Sequence, residues 1–320
     1  MYTIYKIHNG SLQTIEKVSK DLEFVWIHAE SPTASELAEL RALIPIPDEV
    51  VKDTQDVNEV PKLDKIDDVT FILLQTPIRG TQKKGTKIHS FSVRPLGILI
   101  RGKIVLTIAW YPNDVILYVQ EKMKKVGRNF IIDTKQLGEF TLKFFLFTAK
   151  MYLRCLKDIN QSLTIPTNTS HTRYDKEIFD FLNVEESLVY FNASLSSNDI
   201  VLKKIAKRKQ FVATEEEYDL LDDAMDETRQ ALEMTQVYSR IVEDLRNAIS
   251  SLISNDLSRK VNWLTKVTFI LMVPTLVGTL YGMNVPLPFA DKPGAFWLVL
   301  VVSIVSTIGS VLWLNHHHKD

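Results

Sequence analysis

The chain has 320 residues, of which 45% are hydrophobic and 24% are charged. This length is enough for two domains, or for one domain with an appendage. A net charge of −1 argues against a protein that binds nucleic acid through a basic surface. The single cysteine, Cys155, excludes an internal disulfide and a cysteine-rich zinc site.

Residues 1–130 mix strand and helix patterns and predict a cytosolic α/β domain. Segments rich in β-branched and aromatic residues alternate with segments that carry helix start signals. The first ten residues alternate polar and apolar types and therefore lack the apolar core of a signal peptide. Pro95 predicts an edge position or a bulge in its strand. The predicted strands are 2–8, 22–29, 69–78, 88–100 and 103–110, and the predicted helices are 33–44, 47–56 and 113–127.

Residues 131–213 predict a cytosolic helical region, with helices over 137–163 and 173–209. From Glu215 onwards the chain has no proline or glycine until Pro274. That is about 60 residues of potential continuous helix, against a usual length of about 11–12. Within it, apolar and small residues at spacings of three and four form a weak heptad seam. We assign residues 214–260 to a stalk helix that continues into the membrane.

Two segments near the end of the sequence predict transmembrane helices, over 261–284 and 295–314. The first contains one charged residue, Lys266, and the second contains none. About 20 apolar residues, rising ~1.5 Å each, cross a hydrocarbon core of ~30 Å. Residues 285–294 then form an external loop, and 315–320 form a cytosolic tail.

The basic residues that flank the two spans predict the orientation of the chain. Arg259 and Lys260 precede the first span, and Lys319 follows the second. In the loop between the spans, the opposite charges of Asp291 and Lys292 cancel. Positive charge is enriched on the cytoplasmic side of membrane proteins. We therefore expect a multi-pass protein of the plasma or inner membrane with both termini in the cytoplasm.

The sequence contains none of the motifs that mark common enzyme sites. It has no GxxxxGK[ST] phosphate loop, no HExxH and no GxSxG. We expect no catalytic residues, no organic cofactor and no nucleic-acid partner.

One short motif stands where the first span ends, Tyr281-Gly282-Met283-Asn284. In this position, ten residues before the second span and after Pro274-Thr275-Leu276-Val277, it resembles the mark of the CorA family of divalent-cation transporters. The resemblance covers the whole architecture, from α/β domain through stalk, span, short loop and second span. It implies a homopentamer with a funnel-shaped cytosolic domain, and a pore that the first span lines.

The resemblance implies that Gly282, Met283 and Asn284 select the ion. Mg²⁺ holds its waters tightly and prefers oxygen ligands. A ring of five Asn284 amide oxygens would accept hydrogen bonds from this hydration shell without removing it. The alternative role of the motif is to end the helix, because glycine and asparagine are common at helix C-termini.

A stripe of residues at spacings of four, four, three and four runs along the first span. A pore-facing stripe would place hydrophobic constrictions at Leu264 and Met272, which gate by dewetting, and hydroxyls beside the passing ion. A lipid-facing stripe is the alternative, because a threonine hydroxyl can bond its own backbone. The stripe consists of Leu264, Thr268, Met272, Thr275 and Thr279.

The stalk opens with a dense acidic run between Glu215 and Glu227. Four of its aspartates, three and four residues apart, gather on one side of the helix and repel one another. The resemblance implies regulatory Mg²⁺ sites between neighbouring subunits, with a stalk aspartate in this region. A solvated helix face is the alternative. The candidate metal ligands are Asp219, Asp222, Asp223 and Asp226.

We therefore expect a channel or transporter for Mg²⁺ influx, with Co²⁺ or Ni²⁺ as further cargo and cytosolic Mg²⁺ as the gating ligand. Family loops often carry an acidic residue after the motif, whereas residues 285–289 here are uncharged. The departure leaves the preferred cation open, and a zinc transporter of the same superfamily is the alternative. A membrane-anchored metal-sensing scaffold without transport is the alternative from another class. Expected partners are further copies of the chain, membrane lipid and divalent cations.

Overall fold

The computed structural model describes residues 1–8, 11–16, 24–80, 90–124, 137–163, 171–283, 288 and 294–316. The chain divides into two compact units, Met1–Arg246 and Asn247–Asp320. The first unit has the α/β composition that the sequence predicts.

A mixed sheet of seven strands forms the centre of the first unit. Its strand order is β2-β1-β3-β7-β6-β5-β4. The pair β3 and β7 is parallel, and the other neighbours are antiparallel. The strands are β1 (Tyr2–His8), β2 (Ser11–Ile15), β3 (Val25–Glu30), β4 (Lys62–Ile66), β5 (Val69–Arg79), β6 (Phe91–Arg101) and β7 (Ile104–Ala109).

The two strands that sequence patterns miss, β2 and β4, are the edges of the sheet. Each has five residues and a single neighbouring strand, so its pattern is short. Pro95 occupies a local edge as predicted, because β7 pairs only with Gly97 to Arg101 of β6. Its missing N–H therefore leaves no gap in the ladder on that side.

Short helices cover the sheet, and each face has its own apolar core. On one face, α1 (Ala34–Leu43) and α2 (Asp48–Gln55) bury Leu40 and Val50 against the strands. On the other face, α3 (Asp114–Lys124) and α4 (Leu137–Ser162) pack on the sheet around the fully buried Trp26. Burial on both faces explains why the central strands are nearly continuous apolar runs.

Hydrogen bonds attach the long helix α5 (His171–Ile205) to the sheet. The Asn198 side chain accepts from the backbone N–H of Gln75 at 3.1 Å and donates to its carbonyl at 2.8 Å. The Ser187 hydroxyl accepts from the backbone N–H of Phe91 at 2.9 Å. These bonds tie side chains of α5 to buried backbone groups of the sheet, where polar groups need partners.

The longest helix, α6 (Glu215–Tyr281), has 67 residues and extends through Pro274. It begins with a capping box. The Glu217 carboxylate accepts from the N–H groups of Ala213 (2.8 Å) and Thr214 (3.1 Å), and the Thr214 hydroxyl accepts from the Glu217 N–H (3.3 Å). Glu217 is only 3% exposed. The start of α6 is therefore fixed inside the first unit.

The second unit contains the rest of α6 and the helix α7 (Ala295–His316). Both helices are long and apolar enough to cross a membrane. No residue in either apolar window is buried within the described structure. Apolar helices without buried residues need an apolar surrounding.

Replacing Gly138 with alanine should destabilise the first unit. The added Cβ would collide with the backbone carbonyl of Phe211 and with the carboxylate of Glu217. We expect a loss of about 1–3 kcal/mol in the free energy of unfolding, as overpacking typically costs. Denaturant unfolding of the full chain, followed by tryptophan fluorescence, measures it. Gly278→Ala is the control, since a Cβ there meets nothing within 4 Å; equal stability of the two variants would contradict the role of Gly138.

Candidate functional site

The predicted stripe on the apolar part of α6 is exposed along its whole length in the single chain. Leu264 is 59% and Met272 is 63% exposed. Thr268, Thr275 and Thr279 are exposed as well. The stripe therefore has no packing partner among the described residues of its own chain.

The threonines of the stripe bond their own helix backbone. The hydroxyl of Thr268 donates to the carbonyl of Leu264 at 2.8 Å, that of Thr275 to Leu271 at 2.7 Å, and that of Thr279 to Thr275 at 2.7 Å. A hydroxyl has one hydrogen and two acceptor lone pairs. Each of these oxygens therefore faces outward as an acceptor only.

The opposite side of α6 faces α7. Phe269 contacts Trp313 of α7, with ring centroids 6.4 Å apart. Val267, Ile270, Val273 and Val277 are only partly exposed. At about 100° per residue, these positions lie roughly opposite the stripe. The hydroxyl stripe therefore points away from the other helix of its own unit.

Pro274 lies on the α7 side of the helix, and like its valine neighbours it is partly exposed. It has no N–H, so it cannot donate to the carbonyl of Ile270. Next to it, the Thr275 hydroxyl adds a bond to the carbonyl of Leu271. The α-helix continues to Tyr281 without interruption.

The motif after Tyr281 is only partly within the described residues, and Asn284 lies outside them. The Gly282 N–H donates to the carbonyls of Gly278 (3.0 Å) and Thr279 (3.1 Å), which tightens the last turn. Gly282 does not have a positive φ, and a Cβ there would meet the Gly278 carbonyl at 3.4 Å, an ordinary contact. The single chain therefore does not require glycine at this position. Met283 is 51% exposed.

The acidic run on α6 separates into two kinds of carboxylate. Asp219, Asp222, Asp223 and Asp226 are exposed, whereas Glu217 is the buried cap of the helix. The described residues of one chain hold no group of three or more His, Cys, Asp or Glu side chains placed to bind a metal. Sequence analysis missed the role of Glu217, although the Thr-x-x-Glu spacing from Thr214 is the signal of a capping box.

Two titratable side chains of the first unit are buried for structural reasons. Burial raises the pKa of the Cys155 thiol to about 12, so the thiol stays protonated and packs as an apolar group. Burial also lowers the pKa of His28 to about 4, against the opposing effect of its hydrogen bond to Thr107. His28 is therefore neutral at physiological pH.

These features define a membrane protein with an α/β unit, a long helix and a second apolar helix. A family model described as "CorA-like Mg2+ transporter protein" matches residues 21–317, nearly the whole chain. The chain belongs to the CorA family, whose members are membrane transporters rather than enzymes.

Characterised relatives match the chain over most of their own length. The "Cobalt/magnesium transport protein CorA" of Methanocaldococcus jannaschii is 26% identical over 297 residues, covering 89% of this chain and 88% of the relative. The "Magnesium transport protein CorA" of Helicobacter pylori is 21% identical over 296 residues, covering 92% of this chain and 90% of the relative.

Solved structures share the fold. The complete CorA magnesium transporter from M. jannaschii superposes with a TM-score of 0.78 at 23% identity, covering 98% of this chain and 97% of that one. The full-length CmaX protein superposes with a TM-score of 0.68 at 15% identity, covering 100% of this chain and 98% of that one. The ZntB cytoplasmic domain from Vibrio parahaemolyticus superposes with a TM-score of 0.58 at 11% identity, covering 79% of this chain and 98% of that one.

Proposed function

We propose that the chain transports divalent cations across a membrane, with Mg²⁺ as the main cargo and Co²⁺ or Ni²⁺ as further cargo. The family match and the names of the relatives in M. jannaschii and H. pylori support cation transport. Magnesium and cobalt both occur in the name of the archaeal relative.

The observation that carries the proposal is the outward row of hydroxyl acceptors on an apolar helix. A water bound to Mg²⁺ directs its oxygen to the ion and its hydrogens outward. The pore wall must therefore accept hydrogen bonds, and the oxygens of Thr268, Thr275 and Thr279 have only acceptor capacity left. A membrane tether would need no such row.

A pore requires several copies of this helix, and we propose a homopentamer. Because α7 contacts α6 on a side away from the stripe, the hydroxyl sides of several copies can meet around one axis. Leu264 and Met272 then form apolar rings that close the pore by dewetting. The amide oxygens of Asn284, with Gly282 and Met283 beside them, form the outer ring that recognises the hydrated ion.

We further propose that both termini of the chain lie in the cytoplasm. The basic residues Arg259, Lys260 and Lys266 support this orientation. The segments of the proposed topology are 1–130 and 131–213 in the cytosol, 214–260 as stalk, 261–284 and 295–314 as spans, 285–294 as external loop and 315–320 as tail.

A zinc transporter of the same superfamily is the second candidate for the cargo. The ZntB cytoplasmic domain shares the fold at 11% identity, which does not decide between the ions. Flux in proteoliposomes, with Mg²⁺, Co²⁺ and Zn²⁺ tested in parallel and with and without a proton gradient, decides it. The metal-sensing scaffold is the candidate that predicts no flux at all.

Replacing Thr275 and Thr279 with valine should slow Mg²⁺ flux while leaving the protein folded. Valine keeps the shape of threonine and removes the acceptor oxygen. A lost hydrogen bond of about 1 kcal/mol corresponds to a change of roughly fivefold. Thr307→Val is the matched control, because the Thr307 hydroxyl makes the same bond, to Ser303, but on α7. Unchanged flux in the double variant would assign the stripe to lipid.

Asn284→Ala should abolish Mg²⁺ flux in proteoliposomes without changing the oligomeric state in solution. The substitution removes the amide oxygen that we assign to the outer ring. Asn262→Ala removes an exposed amide from the other end of the apolar helix and should transport normally. Normal flux through a folded Asn284→Ala protein would exclude the amide ring.

Asp219→Ala with Asp223→Ala should weaken the inhibition of flux by internal Mg²⁺ without removing transport. If Mg²⁺ binds these exposed aspartates between subunits, it neutralises their repulsion and holds the closed state. Losing the site should raise the inhibitory Mg²⁺ concentration about tenfold or more. Glu243→Ala with Asp244→Ala removes the same charge from exposed positions elsewhere on α6. Identical inhibition in the two double variants would make the aspartates a solvated face.

A further inference from the structure

A groove lies between α6 and α7 within the second unit. Its walls are Phe269 of α6 and Ser306, Gly309, Ser310 and Trp313 of α7, and its volume is about 400 Å³. The groove is shallow and open to the surroundings of the two helices. A Cβ added at Gly309 would meet nothing within 4 Å, so the missing side chain is part of the open space.

The walls of this groove suit an apolar occupant. Two aromatic rings, of Phe269 and Trp313, line it with their centroids 6.4 Å apart. The Ser310 hydroxyl donates to the Ser306 carbonyl at 2.8 Å, so its hydrogen is already used. A polar ligand would find few donors here.

The positively charged side chain of Lys266 belongs to the part of α6 next to the groove. Lys266 precedes Phe269 by three residues, so it lies on the same side of α6, roughly 4.5 Å further along the axis. No carboxylate pairs with Lys266 among the described residues. The sequence has no acidic residue between Asp256 and Asp291, and α7 has none at all. Within the described residues, the charge of Lys266 therefore has no acidic counter-ion, and an anionic ligand can supply one.

We propose that the groove binds one acyl chain of an anionic phospholipid, with the headgroup phosphate paired to the Lys266 ammonium. The inference rests on the proposed function, which places both helices in a bilayer. The flexible lysine stem reaches toward the headgroup region while the acyl chain lies against Phe269 and Trp313. A lysine close to an anionic leaflet contributes about 1 kcal/mol of binding.

This proposal differs from general attraction between basic flanks and acidic lipid. General attraction depends on charge alone, so an exposed basic residue just before the span, such as Arg259, would contribute as much as Lys266. A site depends on the groove as well, so filling the space at Gly309 weakens binding with no change of charge.

Native mass spectrometry of the full chain in detergent, titrated with phosphatidylglycerol or with phosphatidylcholine of the same acyl chains, tests the site. We expect phosphatidylglycerol to bind more tightly than phosphatidylcholine. Lys266→Gln should lower the affinity for phosphatidylglycerol about fivefold, which corresponds to the ~1 kcal/mol above. Gly309→Leu should weaken binding of both lipids. Arg259→Gln removes the same charge from an exposed residue just before the span, and Val301→Phe adds bulk at an exposed position of α7 that does not line the groove. Both controls should bind like the original protein.

Equal binding of the two phospholipids, or equal losses of affinity in Lys266→Gln and Arg259→Gln, would overturn the proposal. Unchanged lipid binding in Gly309→Leu would overturn it as well, because the acyl chain would then lie outside the groove. Mg²⁺ flux in phosphatidylcholine vesicles separates this inference from the proposed function. Normal flux without lipid preference refutes the lipid site alone, whereas lipid preference without flux refutes transport alone.

Discussion

The second unit is governed by the need to satisfy polar groups where no water is present. In hydrocarbon, backbone N–H and C=O groups must bond within the protein. The threonines of α6 meet the same requirement by donating to carbonyls four residues earlier. Their oxygens then remain as acceptors on a helix that is otherwise apolar. A local requirement of stability thus leaves a row of hydrogen-bond acceptors, which is the surface that we propose for the hydrated cation.

The first unit solves a different problem, the fixing of a very long helix at one end. The carboxylate of Glu217 is almost fully buried, and it binds the N–H groups that precede α6. Gly138 leaves space for this carboxylate and for the carbonyl of Phe211. Capping by Glu217 and close packing at Gly138 together determine where α6 begins. Gly138 lies on α4, which packs on the sheet.

Much of the fold was predictable because its signals are local. The long strands β5 and β6 carry dense β-branched and aromatic runs, whereas the edge strand β4 (KLDKI) has two apolar residues among three charged ones. The great length of α6 before Pro274 followed from the absence of proline and glycine after Glu215. The positions of the stripe were readable from spacing, but the direction of each hydroxyl and the side that faces α7 depend on contacts between distant residues. Predictions for Asn284, Asp291, Lys292 and Lys319 lie outside the described residues and stay predictions.

Pro274 gives the apolar part of α6 a preferred direction of bending. The helix lacks one backbone hydrogen bond there, between residue 274 and Ile270, and the ring crowds the same side. A helix bends most easily away from such a proline, because opening that side breaks no further bond. Here that side is the one toward α7, so the concave side of a bend carries the hydroxyls. The segment beyond Pro274, with Thr275 and Thr279, can therefore tilt relative to Leu264 while every bond on the hydroxyl side stays closed.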